Sequence, residues 1–283
     1  MRWGLFDRVI VVDWSGRSTP SPARESRDAI WIGVCEADGE VQTYCRSRAA
    51  AETHVLALLG DGGRQLVGFD FPLGYPQGFA RRLTGQGSAR GLHGWLAGQI
   101  IDGADNANNR FAVAAGINRL LGGAGPFWGC PQGQVFDGLS ALKRVDYAGL
   151  GLGEKRRVER ENPPAKPVWQ LLGAGSVGSQ ALLGIPVVHR LAQATGAAVW
   201  PFEAVGALTL AEVYPSLLAG AVRAAADTIP DRAQVRLLAR ALWRLAQHGR
   251  IAPLFAVPDE AAEEGWILGA GHAALLEQAL GWT

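Results

Sequence analysis

Val9-Ile10-Val11-Val12-Asp13-Trp14-Ser15-Gly16 is the stretch on which the reading of this chain turns. Four successive β-branched residues suit a strand covered on both faces, because an unbroken apolar run leaves neither side of the pleat for water. The Asp-Trp-Ser-Gly that follows stops the strand with turn-forming residues. A carboxylate therefore stands where an apolar strand ends, and the arrangement recurs twice. Gln65-Leu66-Val67-Gly68-Phe69-Asp70 reads as a second buried strand, broken by Pro72 and Gly74. Residues 208–214 read as a third, carrying Glu212 and closed by Pro215.

Between and around these strands the pattern is that of an α/β protein. Residues 17–27, rich in Ser, Pro and Arg, read as a loop. Residues 29–36 and 40–46 read as strands joined in a hairpin at Asp38-Gly39. Residues 49–59 have helical composition, ended by Gly60-Asp61-Gly62-Gly63. Strand character returns at 197–202. Over residues 231–247, Val235, Leu238, Leu242 and Leu245 make one apolar helical stripe, with Thr228, Pro230 and Asp231 marking its start. The intervening residues 75–198 have a mainly helical texture, clearest at 106–121, broken by Gly/Pro-rich loops. The expectation is one domain over residues 1–283: a mixed sheet, flanking helices and a large, mainly helical insertion at about 75–198.

Composition narrows the function classes. The chain has 283 residues, 48% apolar and 19% charged, which is a globular balance. A net charge of +1 gives no global footprint for long nucleic acid. Only residues 143–166 are locally basic, with seven Lys/Arg against four acids, as a solvated face or a phosphate patch would be. No apolar run approaches the ~18 residues of a membrane span, and the first residues lack the apolar core of a signal peptide. Cys35, Cys45 and Cys130 are too scattered for a disulfide framework. A cytoplasmic protein is expected.

Ligands of open parallel sheets gather outside the carboxyl ends of the strands. Asp13, Asp70 and Glu212 gathered there would repel one another unless a cation lay between them. Their oxygen-only donors favour Mg²⁺ or Mn²⁺, and two such ions on a phosphodiester would activate water and stabilise the leaving oxygen. Each acid also has a structural reading. Asp13 can cap a turn, Asp70 can form an Asx-turn, Glu212 can pair with a buried arginine, and Asp231 can complement a helix dipole. Gly173-Ala174-Gly175-Ser176-Val177-Gly178 fits G-x-G-x-x-G, but no good strand precedes it. It reads as a plain turn or a loop whose amides approach phosphate, rather than a dinucleotide site. Asp259, Glu260, Glu263 and Glu264 read as an exposed helical face.

Taken together, residues 11–16, residues 68–74 (Gly-Phe-Asp-Phe-Pro-Leu-Gly) and Glu212-Val213-Tyr214-Pro215 resemble a bacterial and archaeal family known as domain of unknown function 429. Residues 166–171, the glycine-rich 173–178 and Glu264-Gly265-Trp266-Ile267 extend the resemblance from Val11 to Ile267. That family is described as predicted nucleases with an RNase H fold. The resemblance therefore implies an RNase H-like sheet and a Mg²⁺- or Mn²⁺-dependent nuclease or phosphodiesterase acting on nucleic acid or a small phosphodiester. In it, Asp13 would bridge both ions, Asp70 and Glu212 would each hold one, and Asp231 would complete the second, although Asp231 fits the family's late acidic position poorly. Ser15, Lys166, Arg156 and Arg110 would take substrate phosphates. Two other classes stay open: a nucleotide-dependent phosphotransferase of the actin and sugar-kinase type, and a non-catalytic module that keeps the fold. On the metal reading, Glu212→Gln relieves repulsion and raises metal-free stability.

Overall fold

The computed structural model describes residues 6–123 and 125–282. Its strands are β1 (Arg8–Asp13), β2 (Ile30–Glu36), β3 (Gly39–Cys45), β4 (Gln65–Phe69), β5 (Ala198–Val199) and β6 (Leu208–Glu212). Helix α1 (Arg48–Gly60) separates β3 from β4. Between β4 and β5 lie α2 (Phe79–Thr84), α3 (Ala89–Gln99), α4 (Arg110–Leu120), α5 (Arg157–Glu161) and α6 (Gly178–Thr195). After β6 come α7 (Ala219–Ala224), α8 (Pro230–Gln247), α9 (Ala261–Glu264) and α10 (Ala273–Ala279). No helix among the described residues is long and apolar enough to cross a membrane.

The six strands form one mixed sheet in the order β3-β2-β1-β4-β6-β5. β1 pairs antiparallel with β2 and parallel with β4, while β6 runs parallel to both β4 and β5. Both faces are covered, which is why Val9 through Val12 are all completely buried. Alternation sends Ile10 and Val12 into one core with α1 and α6, and Val9 and Val11 into another with α8.

Helix α8 lies on β2 and β1 at backbone distance. A Cβ at Gly33 would stand 2.7 Å from the Val235 carbonyl, so only glycine admits the helix at that height. This contact fixes the first turn of α8, and with it Asp231, against the carboxyl end of β1.

Several local expectations shift. The helix expected at 106–121 begins at Arg110, because Asn106 takes a left-handed backbone (φ 67°) and Asn108 bridges to Asp102. The strand expected at 197–202 shrinks to Ala198–Val199, since Pro201 has no amide to continue a ladder. The acidic run at 259–264 is not simply an exposed face. Glu264 is buried and accepts from the Gln77 and Arg157 amides.

Gly33→Ala is expected to lower the unfolding midpoint by several degrees, the ordinary consequence of about 1–3 kcal/mol of overpacking. Gly98→Ala, in open space near the end of α3, should leave the midpoint unchanged or raise it slightly. Thermal unfolding of the two variants checks both expectations.

Candidate functional site

Parallel pairing sets Val12 beside Phe69, so Asp13 and Asp70 are the next residues on neighbouring strands. The Asp70 amide donates to the Val12 carbonyl at 2.9 Å. Their backbones are thus about 4.8 Å apart, the ordinary spacing of paired strands. From β1 the chain turns to β2 and β3 on one side, and β4 then lies on the other. Such a switch point opens the crevice in which α/β sheets bind ligands.

Asp13 continues the side-chain parity of Val9 and Val11, and Asp70 that of Leu66; this is the face that α8 covers. Asp231, in the first turn of α8, approaches from above, its Oδ2 accepting from the Asp28 amide at 2.7 Å. Asp28 holds a left-handed backbone (φ 54°), and its carbonyl accepts from the Ser15 hydroxyl at 3.3 Å.

No arginine or lysine neutralises Asp13 or Asp70 among the described residues. Burial pushes the Asp13 carboxyl well above the usual range, and the charges of Asp70, Asp231 and Asp28 add to it. Asp70 is pushed up to about 7, by burial first and then by Glu212 and Asp231. Burial also raises Asp231, against the opposing pull of the Asp28 amide.

Glu212 sits at the same rim but faces away. It shares the parity of Leu210, which belongs to the opposite core, and it is 2% exposed. Arg156 grips it bidentately, at 2.7 Å to Oε2 and 2.6 Å to Oε1, while the Leu73 amide donates to Oε2 at 2.9 Å. Arg156 also binds Glu159 at 2.7 Å and is itself buried. Both expected roles are therefore corrected: Glu212 is committed to a buried ion pair, and Arg156 is buried with its charge taken by Glu212 and Glu159.

The remaining sequence candidates divide between two spaces. Ser15, Arg110 and the start of the glycine-rich loop line a cleft of about 650 Å³ together with Asp13 and Asp231. Lys166 is exposed and lines a much smaller space, about 40 Å³, with Asp70, Arg156 and Glu212. The glycine-rich loop is a turn that enters α6 at Gly178 without a preceding strand, so no dinucleotide fold surrounds it.

Residues without a local motif position this site. Arg48, 1% exposed, holds Asp102 with two bonds of 2.6 Å and donates to the Ser15, Arg17 and Asn106 carbonyls. It thereby pins the loop after β1 to the segment before α4. Gln180 of α6 donates to the Trp14 carbonyl at 2.6 Å. Nothing in the neighbouring sequence signals these long-range bonds, nor the role of Asp28.

Among the described residues, no three His, Cys, Asp or Glu side chains are grouped to hold one metal ion. The three-carboxylate centre expected from the sequence therefore does not assemble. The adjacent pair Asp13 and Asp70 remains, an oxygen-only donor set without a protein cation. Mg²⁺ commonly engages one or two carboxylates and keeps several waters, so the pair fits such an ion. Comparison of the chain with protein families, curated proteins and solved structures found no match.

Glu212→Gln is expected to lower the unfolding midpoint, because a charge-assisted fork worth about 2 kcal/mol is lost. The pH dependence has the opposite origin. Folded Asp70 keeps its proton to about pH 7, whereas an unfolded aspartate releases it near 3.8. The folded state holds the extra proton between those values, so metal-free stability falls as pH rises through that window. Asp70→Asn should flatten this fall and raise the midpoint at pH 8. Thermal unfolding between pH 4 and 8 reads both variants.

Proposed function

We propose that this protein is a divalent-cation-dependent phosphodiesterase of RNase H-like type, with Asp13 and Asp70 as its central carboxylates. The observation that carries the reading is the uncompensated pair at the switch point. Two half-buried aspartates at adjacent strand ends, each driven toward protonation, are costly unless the site receives positive charge. Support for the fold assignment comes from an antiparallel β3-β2-β1 hairpin sheet extended by parallel β4 and β6. The resemblance of residues 11–16 and 68–74 to the predicted-nuclease family points the same way.

In this reading Asp13 and Asp70 would hold Mg²⁺ or Mn²⁺ through their carboxylate oxygens. Bound there, such an ion supplies a water of lowered pKa and charge stabilisation at phosphoryl oxygens. Asp231 keeps a raised carboxyl beside them, suited to accept the proton of an attacking water or to return one to the leaving oxygen. The Arg48 and Gln180 bonds hold the loop after β1, and with it Asp13, in fixed geometry. Glu212 acts at a distance. Anchored by Arg156, it adds negative charge near Asp70 and raises its carboxyl.

Calorimetric titration with Mg²⁺ and Mn²⁺, paired with hydrolysis of bis(p-nitrophenyl) phosphate, tests the proposal. Wild type is expected to bind the ion and to hydrolyse the ester. Asp13→Asn and Asp70→Asn should each weaken binding at least tenfold and abolish turnover. Equal metal binding by wild type and both variants would overturn it.

A further inference from the structure

The cleft that carries Asp13 on one wall has a cationic wall opposite. Three arginines are buried among the described residues. Arg48 meets Asp102, and Arg156 meets Glu159 and Glu212. Arg110, 5% exposed, meets no acid. Its Nε donates to the Ser179 hydroxyl at 2.8 Å, and its Nη1 to the Ser18 hydroxyl at 2.9 Å and to Asn108 Oδ1 at 2.7 Å. All three partners are neutral. Its guanidinium carbon lies 4.3 Å from the Phe111 ring centroid, its Nη2 donates to no group among the described residues, and the residue lines the cleft.

A buried guanidinium without an anion is as unfavourable as a buried carboxylate without a cation. Burial, and then the nearby charge of Arg48, push the Arg110 pKa down to about 10, against the opposing pull of Asp102, which is itself held by Arg48. The same wall presents the start of α6, an 18-residue helix with no side-chain cap. The amides of Gly178 and Ala181 donate to Gln170 and Val177, but those of Ser179 and Gln180 find no acceptor among the described residues. Such free first-turn amides, at the positive end of a long helix, favour an anion. Gly16 closes over them: a Cβ there would lie 3.1 Å from Ser179 Cβ and 3.7 Å from the Gln180 amide nitrogen.

We infer that Arg110, the Ser18 hydroxyl and the first amides of α6 form an anion subsite that receives one phosphoryl group of the substrate, while the Ser179 hydroxyl, which donates to the Leu171 carbonyl at 2.6 Å, only positions Arg110. The inference rests on the phosphodiesterase reading for the identity of the substrate, but not for the binding itself, which needs no metal. A phosphoryl group matches the donor set: the Arg110 charge with its Nη2 donors, one hydroxyl and two helix amides suit a compact anion. Opposite it, Asp13, Asp28 and Asp231 turn anions away, so a phosphate ester would be oriented with one anionic group against Arg110. The group could be a terminal phosphate or an internal diester of a nucleotide chain, and the chemistry is the same for both.

The test uses the full chain stripped of divalent cations with EDTA. Inorganic phosphate, a 5′-mononucleotide and a dinucleotide with unphosphorylated ends are titrated by calorimetry, and thermal unfolding is followed with each. Phosphate is expected to bind wild type and raise its midpoint by mass action. Arg110→Gln should weaken binding at least tenfold and abolish the thermal shift, and Arg110→Lys should keep part of both. Asp13→Asn should bind phosphate more tightly than wild type, because repulsion across the cleft is removed. This last variant keeps the test decisive even if Arg110→Gln fails to fold. Preference for the mononucleotide assigns the subsite to a terminal phosphate, and preference for the dinucleotide to an internal diester; either result supports it. Absence of binding by all three ligands, or equal binding by wild type and Arg110→Gln, overturns it. Phosphate binding without any Mg²⁺ binding would sink the metal reading alone.

Discussion

Asp13 and Asp70 end two hydrogen-bonded parallel strands, and no arginine or lysine among the described residues stands between them. Burial and neighbouring acids push both carboxyls toward their protonated form, the mark of charges held where they repel one another. The geometry that brings them together is not negotiable locally. Val12 and Phe69 fix the register of β1 and β4, apolar residues on both faces bury the strands, and α8 closes over one face at the distance Gly33 permits. The core thus offsets a local repulsion that the site cannot relieve with its own side chains. A binding or catalytic site commonly concentrates such local costs.

The molecule does not lack buried cations; it places them elsewhere. Arg156 joins β6, the turn into α5, the Glu264 carbonyl at the end of α9 and, through Glu212, the loop after β4. Arg48 joins the loop after β1 to the segment before α4. Both are compensated and multiply bonded, and each holds together parts of the chain far apart in sequence. Against this pattern Asp13 and Asp70 lack a cation, and Arg110, which lines one cleft with Asp13, is paired with no acid. The charges missing on each side are those that a metal-bound phosphate ester would bring.

The positions of Asp13 and Asp70 were legible because a strand buried on both faces leaves an unbroken apolar run, and the residue ending that run marks the sheet's rim. The orientation of Glu212 was not. In Leu208–Glu212 both faces are apolar, so composition does not tell which core receives the alternate residues, and the arginine that claims the acid lies 56 residues away. Helix α6 was obscured for another reason. Its Leu182-Leu183-Gly184-Ile185-Pro186-Val187-Val188 stretch carries β-branched residues, glycine and an interior proline, each unfavourable to helix. Burial of that whole run between the sheet and the insertion overrides local preference. Arg48, Asp28 and Asp102 could not be singled out, since their roles exist only in long-range contacts.

The most direct measurement is the carboxyl titration of Asp70 by carbon-13 NMR, in metal-free protein and with saturating Mg²⁺. The account predicts a midpoint near 7 without metal, where burial and neighbouring acids hold the proton, and a fall into the ordinary aspartate range, about 4 or below, when the ion binds. A midpoint near 4 in the metal-free protein, or one near 7 that Mg²⁺ does not move, would contradict it.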